Sequence, residues 1–350
     1  MSDGMCVGTK KKTVAAVALL LCALLLLSAC DEGKAPGDPD PAAPPIEVMG
    51  DSYPLRVRDF YGNMIELAEQ PKRVAVLSAA ALNIWYDVGG KSVCTASISE
   101  NLKVIEAYEE EIRGIPTVGK VALSNLEAIV SYEPDLVIVQ ENSHQSGGAD
   151  WLREHGYPVI TTHLRDLEDV VATYRAFGKL VGNSALAEEK IGALEGRYEA
   201  LIQKAPTEGK RVAILFLTSK KLQVKLSHSI AGIVAEDLGL VNVAAGLSPV
   251  EEGSENATLD MEYLVETQPD LILVTSMISD NETAVATMRE HFATNDAWKG
   301  VSAVQNGRVV YLPQEYFLYN AGPYYDEALR YMACSVYPEI YGDVDGWYGR

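Results

Sequence analysis

The sequence predicts an α/β protein with two parallel-sheet lobes, joined by one long helix and separated by a ligand cleft. Three observations support this prediction: short apolar runs that alternate with helical stretches, an internal repeat, and a long amphipathic stretch between the two halves. Strands that alternate with helices are typical of parallel sheets. A chain of 350 residues is also long enough for two such lobes.

The apolar runs at 74–77, 136–139 and 159–160 are short and continuous, as expected for strands buried on both faces. A hairpin over 55–67 precedes the first run, and a helix follows it from about residue 80 to 88, where Gly89 and Gly90 end it. Together these segments predict an N-terminal lobe over 53–165.

An internal repeat relates the two halves of the chain. Residues 126–139 and 261–274 both show an amphipathic stretch, a Pro-Asp pair and an apolar run, at a constant offset of 135 positions. The apolar run at 74–77 has a counterpart at 212–215. The repeat predicts a second α/β lobe over 207–350.

Between the lobes, apolar residues recur at spacings of three and four over 166–206, interrupted once at Gly182-Asn183. This spacing is typical of an amphipathic helix. We therefore predict one connecting helix of about 35–40 residues, stiff enough to allow only small movements of the lobes.

The first 30 residues have the pattern of a signal peptide. Three lysines, Lys10 to Lys12, precede an apolar run at 14–27 that is short for a membrane-spanning helix. The ending Leu27-Ser28-Ala29-Cys30 resembles the lipobox of bacterial lipoproteins, which implies cleavage after residue 29 and a lipid on Cys30. Residues 30–52, rich in Pro, Gly and Asp, are expected to form a flexible tether.

Composition limits the function classes. A formal charge of −20 without a basic cluster in the globular part argues against nucleic-acid binding, which requires cations that contact phosphate. After removal of the signal peptide and lipidation, Cys94 and Cys334 are the remaining cysteines, and we expect two buried thiols. Sequence alone leaves open whether they pair.

Candidate ligand-binding residues follow from the rule that ligands of parallel α/β sheets bind beyond the carboxyl ends of the strands. Tyrosine is unusually frequent, with 18 Tyr against 5 Phe, and it is concentrated near the C-terminus. Phenol rings suit flat conjugated ligands, since they combine ring contacts with a polar oxygen. The candidates are Ser78, Gln140, Asn142, Lys225, His228, Tyr316, Tyr319 and Tyr324.

The order of lipobox, tether, lobe, helix and lobe resembles the substrate-binding proteins of bacterial ABC importers for iron-siderophores, haem and vitamin B12. The resemblance covers about residues 53–336 and includes the Pro71-Lys72-Arg73-Val74 segment, both Pro-Asp-Leu turns, 303–309 and Gly322-Pro323. It implies an extracytoplasmic lipoprotein, monomeric and without an intrinsic cofactor or enzyme activity. Such a protein would deliver a ferric siderophore, haem or cobalamin to a permease and its ATPase.

Two further roles follow from this resemblance. Glu127 and Glu262, at equivalent positions of the repeat, match the acidic residues that dock each lobe on the permease. The segment around His228 resembles the one that supplies an axial histidine in Gram-positive haem importers, so His228 would be a metal ligand if the cargo is haem. The N-lobe methionine of those proteins has no counterpart, and a tyrosine from 316–325 would have to replace it.

Two alternatives stay open. An enzyme is disfavoured because no GxSxG, HExxH, P-loop or GxGxxG motif occurs in a strand–helix context. A zinc- or manganese-binding lipoprotein would need about three histidines with a carboxylate in the cleft, and the five histidines are scattered.

Overall fold

The structure, a computed structural model, describes residues 44–119, 125–141, 143–318 and 321–344, apart from the side chains of 143–146. The predicted signal peptide and three of the candidate residues, Cys30, Asn142 and Tyr319, lie outside the described residues. Within this part of the chain, no helix has the length and apolar character needed to cross a membrane.

An antiparallel sheet opens the folded body. Its strands are β1 (Glu47–Met49), β2 (Leu55–Arg58) and β3 (Met64–Leu67), paired in that order, and β2 and β3 form the predicted hairpin. Strand β1 falls within the predicted tether and corrects its end. Ile46 and Val48 are buried in the core, so a local apolar pair outweighs the Pro-rich composition around it.

The N-terminal lobe contains a parallel sheet with the order β4-β5-β6. All three strands are buried almost throughout, as their continuous apolar sequences predict. The strands and helices of this lobe, in chain order, are β4 (Val74–Val76), α1 (Ala79–Asp87), α2 (Glu109–Arg113), α3 (Leu126–Ser131), β5 (Leu136–Gln140), α4 (Ser143–Glu154) and β6 (Val159–Thr162).

The segment predicted as one connecting helix forms two helices, α5 (Leu167–Val181) and α6 (Ser184–Ile202). Gly182 ends α5 with a left-handed conformation (φ 77°), which glycine adopts without a Cβ clash. The helices then run antiparallel, since Arg175 Nε lies 3.0 Å from Glu188 Oε1. Only α6, about 28 Å long at 1.5 Å per residue, leads to the second lobe.

The C-terminal lobe contains a six-stranded mixed sheet with the order β10-β8-β7-β11-β12, and β9 pairs with β7. Strands β7, β9, β11 and β12 are parallel, whereas β8 pairs antiparallel with β7, and β10 pairs antiparallel with β8 at the edge. The strands are β7 (Arg211–Thr218), β8 (Leu222–Lys225), β9 (Val241–Asn242), β10 (Asn256–Thr258), β11 (Leu271–Met277) and β12 (Val309–Tyr311).

Helices surround this sheet. Helix α7 follows β8 in the chain, and α12 packs against α6. They are α7 (Ile230–Asp237), α8 (Met261–Thr267), α9 (Asn281–Thr294), α10 (Ser302–Gln305), α11 (Gln314–Phe317), α12 (Tyr325–Val336) and α13 (Pro338–Tyr341). Short 3₁₀ helices occur at Glu106–Tyr108, Asp296–Gly300 and Gly322–Tyr324.

The internal repeat is also visible in the helix caps and backbone angles of the two lobes. Helices α3 and α8 begin behind side-chain N-caps, Asn125 and Asp260, which are 135 positions apart. The residues before the two Pro-Asp pairs, Glu133 and Gln268, have left-handed φ angles of 48° and 44°. Each helix therefore begins and stops in the same way before its buried strand.

The aspartates of the two Pro-Asp pairs hold the starts of neighbouring strands together. The Asp135 carboxylate accepts backbone N–H hydrogen bonds from Lys72 and Arg73 at 2.7 and 2.9 Å, just before β4. Asp270 accepts one from Arg211 at 2.8 Å, at the start of β7. Such charge-assisted bonds fix the position of β4 against β5 and of β7 against β11.

Cys94, beside the N-lobe sheet, and Cys334, on α12, are both buried and form no disulfide with each other. This agrees with the expectation of two buried thiols. Burial raises the pKa of the Cys94 thiol to about 11.

The close packing of α5 on α6 yields a test of the helical hairpin. A Cβ added at Gly178 would lie 2.5 Å from Ala187 Cβ, so we expect Gly178→Ala to lower the free energy of unfolding by about 1–3 kcal/mol. Gly192→Ala on α6 is the matched control, since a Cβ there meets nothing within 4 Å. The control is expected to raise stability by about 0.5–1 kcal/mol. Urea denaturation measures the free energy of unfolding of both variants. Equal effects of the two substitutions would contradict the close packing of α5 on α6.

Candidate functional site

A cavity of about 550 Å³ lies between the two lobes. It lies beyond the carboxyl ends of β11 and β12, as the strand-end rule predicts. Its lining consists of Glu100, Asn101, Leu102 and Lys103 from the N-terminal lobe and of Asp280, Asn281, Glu282, Glu315 and Tyr316 from the C-terminal lobe. Loops that lie far apart in sequence therefore form one concave surface.

Direct hydrogen bonds join the lobes beside this cavity. The Asn101 side-chain amide donates to the carbonyl oxygen of Ser279 at 3.0 Å and to Gln314 Oε1 at 3.4 Å. Tyr324 donates its phenol proton to the carbonyl oxygen of Val104 at 2.9 Å. The segment 101–104 is thus fixed to the loops that follow β11 and β12.

Lys103 is the centre of a second set of contacts between the lobes. Its ammonium pairs with Glu327 and lies over the rings of Tyr324 and Tyr316, 4.3 and 5.6 Å from their centroids. Tyr316 donates to the same carboxylate, Glu327 Oε2, at 2.8 Å. Burial, and then the negative charge of Glu327, raises the pKa of Tyr324 to about 12, which keeps this phenol protonated.

The structure therefore brings two predicted ligand-binding tyrosines together, in an arrangement the sequence did not indicate. Tyr316 lines the cavity, whereas the Tyr324 hydroxyl is occupied by the contact with Val104. Lys103 and Glu327 were missed because no local motif marks them. Their separation of 224 positions leaves no periodic signal in the sequence.

A second bridge between the lobes lies near the β8 edge. Arg165, three residues beyond β6, has its guanidinium 3.4 Å from Glu141 and 3.5 Å from Glu255 of the other lobe. Glu255 also pairs with Lys225 at 3.1 Å, and the Lys225 ammonium lies 4.4 Å from the Phe216 ring centroid. The Lys225 side chain, only 12% exposed, is thus neutralised by a carboxylate.

Ser78 and Gln140 lie together at the ends of β4 and β5, as the strand-end rule predicts. The Ser78 hydroxyl donates to Gln140 Oε1 at 2.7 Å and also caps α1 by accepting from the N–H of Ala81. Ser78 is 1% exposed, so its hydroxyl is engaged within the protein. Their predicted contact with a ligand stays a prediction.

His228 is exposed immediately before the N-cap of α7, and its Nε2 lies 3.1 Å from the carbonyl oxygen of Ser254. Among the described residues, no group of three His, Cys, Asp or Glu side chains is placed to hold a metal ion. The role of His228 as an axial ligand of haem remains a prediction.

The two glutamates predicted to dock on a permease occupy matching places. Glu127 and Glu262 are each the second residue of their helix, behind the N-caps Asn125 and Asp260, and both are exposed. Near a helix N-terminus the negative charge of a carboxylate interacts favourably with the helix dipole.

These features define a class: a two-lobed α/β binding protein with its ligand cavity between the lobes. The chain belongs to the periplasmic binding protein family, whose model matches residues 74–316.

The chain is similar to several proteins whose names describe transport or ligand binding. The putative ABC transporter substrate-binding lipoprotein YhfQ of Bacillus subtilis is 24% identical over 70% of this chain and 76% of its own length. The Fe(3+)-citrate-binding protein YfmC of the same organism is 21% identical over 85% and 88%. The structure of Staphylococcus aureus IsdE complexed with heme superposes with a TM-score of 0.63 at 19% identity, covering 76% of this chain and 98% of that one.

The contact between Lys103 and Glu327 can be measured by a double-mutant cycle. Because the side chains are 35% and 39% exposed, we expect Lys103→Met and Glu327→Gln to be coupled by about 0.5–1 kcal/mol in the free energy of unfolding. The more exposed pair Lys91–Glu111, within one lobe, is the control and should give less than about 0.5 kcal/mol. A coupling of zero for the first pair would contradict the contact between the lobes.

Proposed function

We propose that this protein is the substrate-binding lipoprotein of an ABC importer, anchored outside the cytoplasmic membrane through Cys30. It captures an iron chelate, a ferric siderophore or haem, in the cavity between its lobes and transfers it to the permease without covalent chemistry. The observation that carries the proposal is this cavity, formed by loops of both lobes in a member of the periplasmic binding protein family.

The ligand class is supported by the similar proteins. One is described as binding ferric citrate, and a structural neighbour was solved with heme. Cobalamin, implied by the sequence resemblance, is the alternative cargo. All three ligands enclose a metal in an organic chelate, so the protein itself need not supply a complete set of metal ligands.

Transfer requires that the loaded protein dock on a permease in one orientation. Glu127 and Glu262 support such docking because the repeat places one exposed carboxylate at the same helix position in each lobe. Charge pairing at the rim of an interface sets the orientation and the rate of encounter more than the affinity. The permease and its ATPase are the proposed partners.

Ligand binding is tested by thermal denaturation of the purified protein with haemin, ferric siderophores and cobalamin. At a ligand concentration about 100-fold above Kd, we expect the true cargo to raise Tm by about 5 °C or more. With haemin, a shifted Soret band that His228→Ala or Tyr319→Phe abolishes would identify haem as the cargo. His291→Ala, which changes an exposed histidine on α9, is the control. Binding of no metal chelate would contradict the proposal.

Docking is tested with charge reversals. We expect Glu127→Lys and Glu262→Lys together to lower ligand-stimulated ATPase activity of the reconstituted importer about tenfold or more, with ligand affinity unchanged. Glu110→Lys and Glu252→Lys are the matched control, because both glutamates are exposed and lie one in each lobe. An equal loss in the control pair would show that net charge, and not docking, causes the effect.

A further inference from the structure

We propose that the ligand carries a net positive charge, so that a cationic metal chelate is preferred over the anionic catecholate, citrate and haem classes. This inference rests on the proposed function and specifies the substrate of the same cavity. It follows from the charges that line the cavity on both lobes.

Carboxylates dominate the lining. Glu100 contributes one from the N-terminal lobe, and Asp280, Glu282 and Glu315 contribute three from the C-terminal lobe. Glu100 and Glu282 are exposed, and Glu315 accepts a hydrogen bond from the amide of Asn281 at 3.3 Å. Carboxylates from both sides therefore face the space that a ligand would enter.

Asp280 is held in its ionised form. It caps α9 by accepting from the backbone N–H of Thr283 at 2.7 Å, and the hydroxyls of Ser279 and Thr283 also donate to it at 2.8 Å. These hydrogen bonds favour the charged form and lower the pKa of Asp280 below its usual value.

The cation that lines the cavity is already paired. Lys103 is the one ammonium among the lining residues, and Glu327 neutralises it. Lys225 and Arg165 share Glu255 at the other bridge between the lobes, and neither lines the cavity. An anionic ligand that recruited Lys103 would have to displace Glu327.

The carboxylates give the cavity a negative electrostatic potential, which favours cationic ligands over anionic ones. A concave surface lined by charges of one sign concentrates its field and raises the local concentration of ligands of the opposite sign. A chelate with several negative charges is repelled by the same field.

The test uses chelates that share a scaffold and differ in charge. Ferrioxamine B carries one positive charge on its free amine, its N-acetyl derivative is neutral, and its N-succinyl derivative is negative. Aquacobalamin, which is positive, and cyanocobalamin, which is neutral, form a second series. Affinities of the purified protein are measured by fluorescence quenching at low salt and again at about 1 M salt, where screening is strong.

We expect the positive member of a bound series to bind about 5- to 20-fold more tightly than the negative or neutral member at low salt. At high salt, the ratio of the two affinities should fall to near one. The double variant Glu100→Gln/Glu282→Gln should reduce it about threefold or more. Glu290→Gln, which removes the same charge two turns further along α9, is the control and should leave it unchanged.

The outcomes separate this inference from the proposed function. The charge preference is overturned if the negative members of a series bind equally tightly or more tightly, or if haemin or ferric tricatecholate is the only chelate that binds tightly. Either result leaves the importer role intact. An unchanged preference in the double variant overturns it as well. Failure of every metal chelate to bind overturns the proposed function and this inference with it.

Discussion

A continuous apolar core connects the two lobes through the helical hairpin between them. It extends from Val76 and Ile84 in the N-terminal lobe, through Phe177 and Leu194 on α5 and α6, to Met332 on α12. Because burial of apolar surface is the main favourable term in folding, separating the lobes widely would expose part of this core to water. The core therefore limits the lobes to small relative movements, and the cavity between them is largely formed before any ligand enters.

The cavity depends on this constraint in two ways. Loops of both lobes line the cavity, so they face each other across it. The polar bridges at Asn101, Lys103 and Arg165 then lie at the margins, where partial exposure keeps each of them weak. Because the apolar core between the lobes is rigid and the polar contacts at the margins of the cavity are weak, the margins can open without the unfolding of either lobe.

Sequence reasoning predicted the parts of the fold that depend on local pattern. The buried strands, the β2–β3 hairpin and the repeat all carry short-range signals, down to the Pro-Asp pairs. The connecting helix was predicted too long because apolar spacing continues through Gly182 although the chain reverses there. At the cavity, Tyr316 was predicted from residue type and strand position. Lys103 was missed because its role arises from tertiary pairing with Glu327, which no local pattern encodes.

Lys103 connects the charge of the cavity with the contact between the lobes. Its ammonium is held by Glu327 and by two tyrosine rings, and these contacts help to keep the lobes together beside the cavity. A negative ligand that recruited this ammonium would compete with Glu327 and weaken the contact between the lobes. A positive ligand interacts with Glu100 and Glu282 instead and leaves the Lys103 contacts in place. A ligand of the second kind therefore leaves the contacts between the lobes beside the cavity intact.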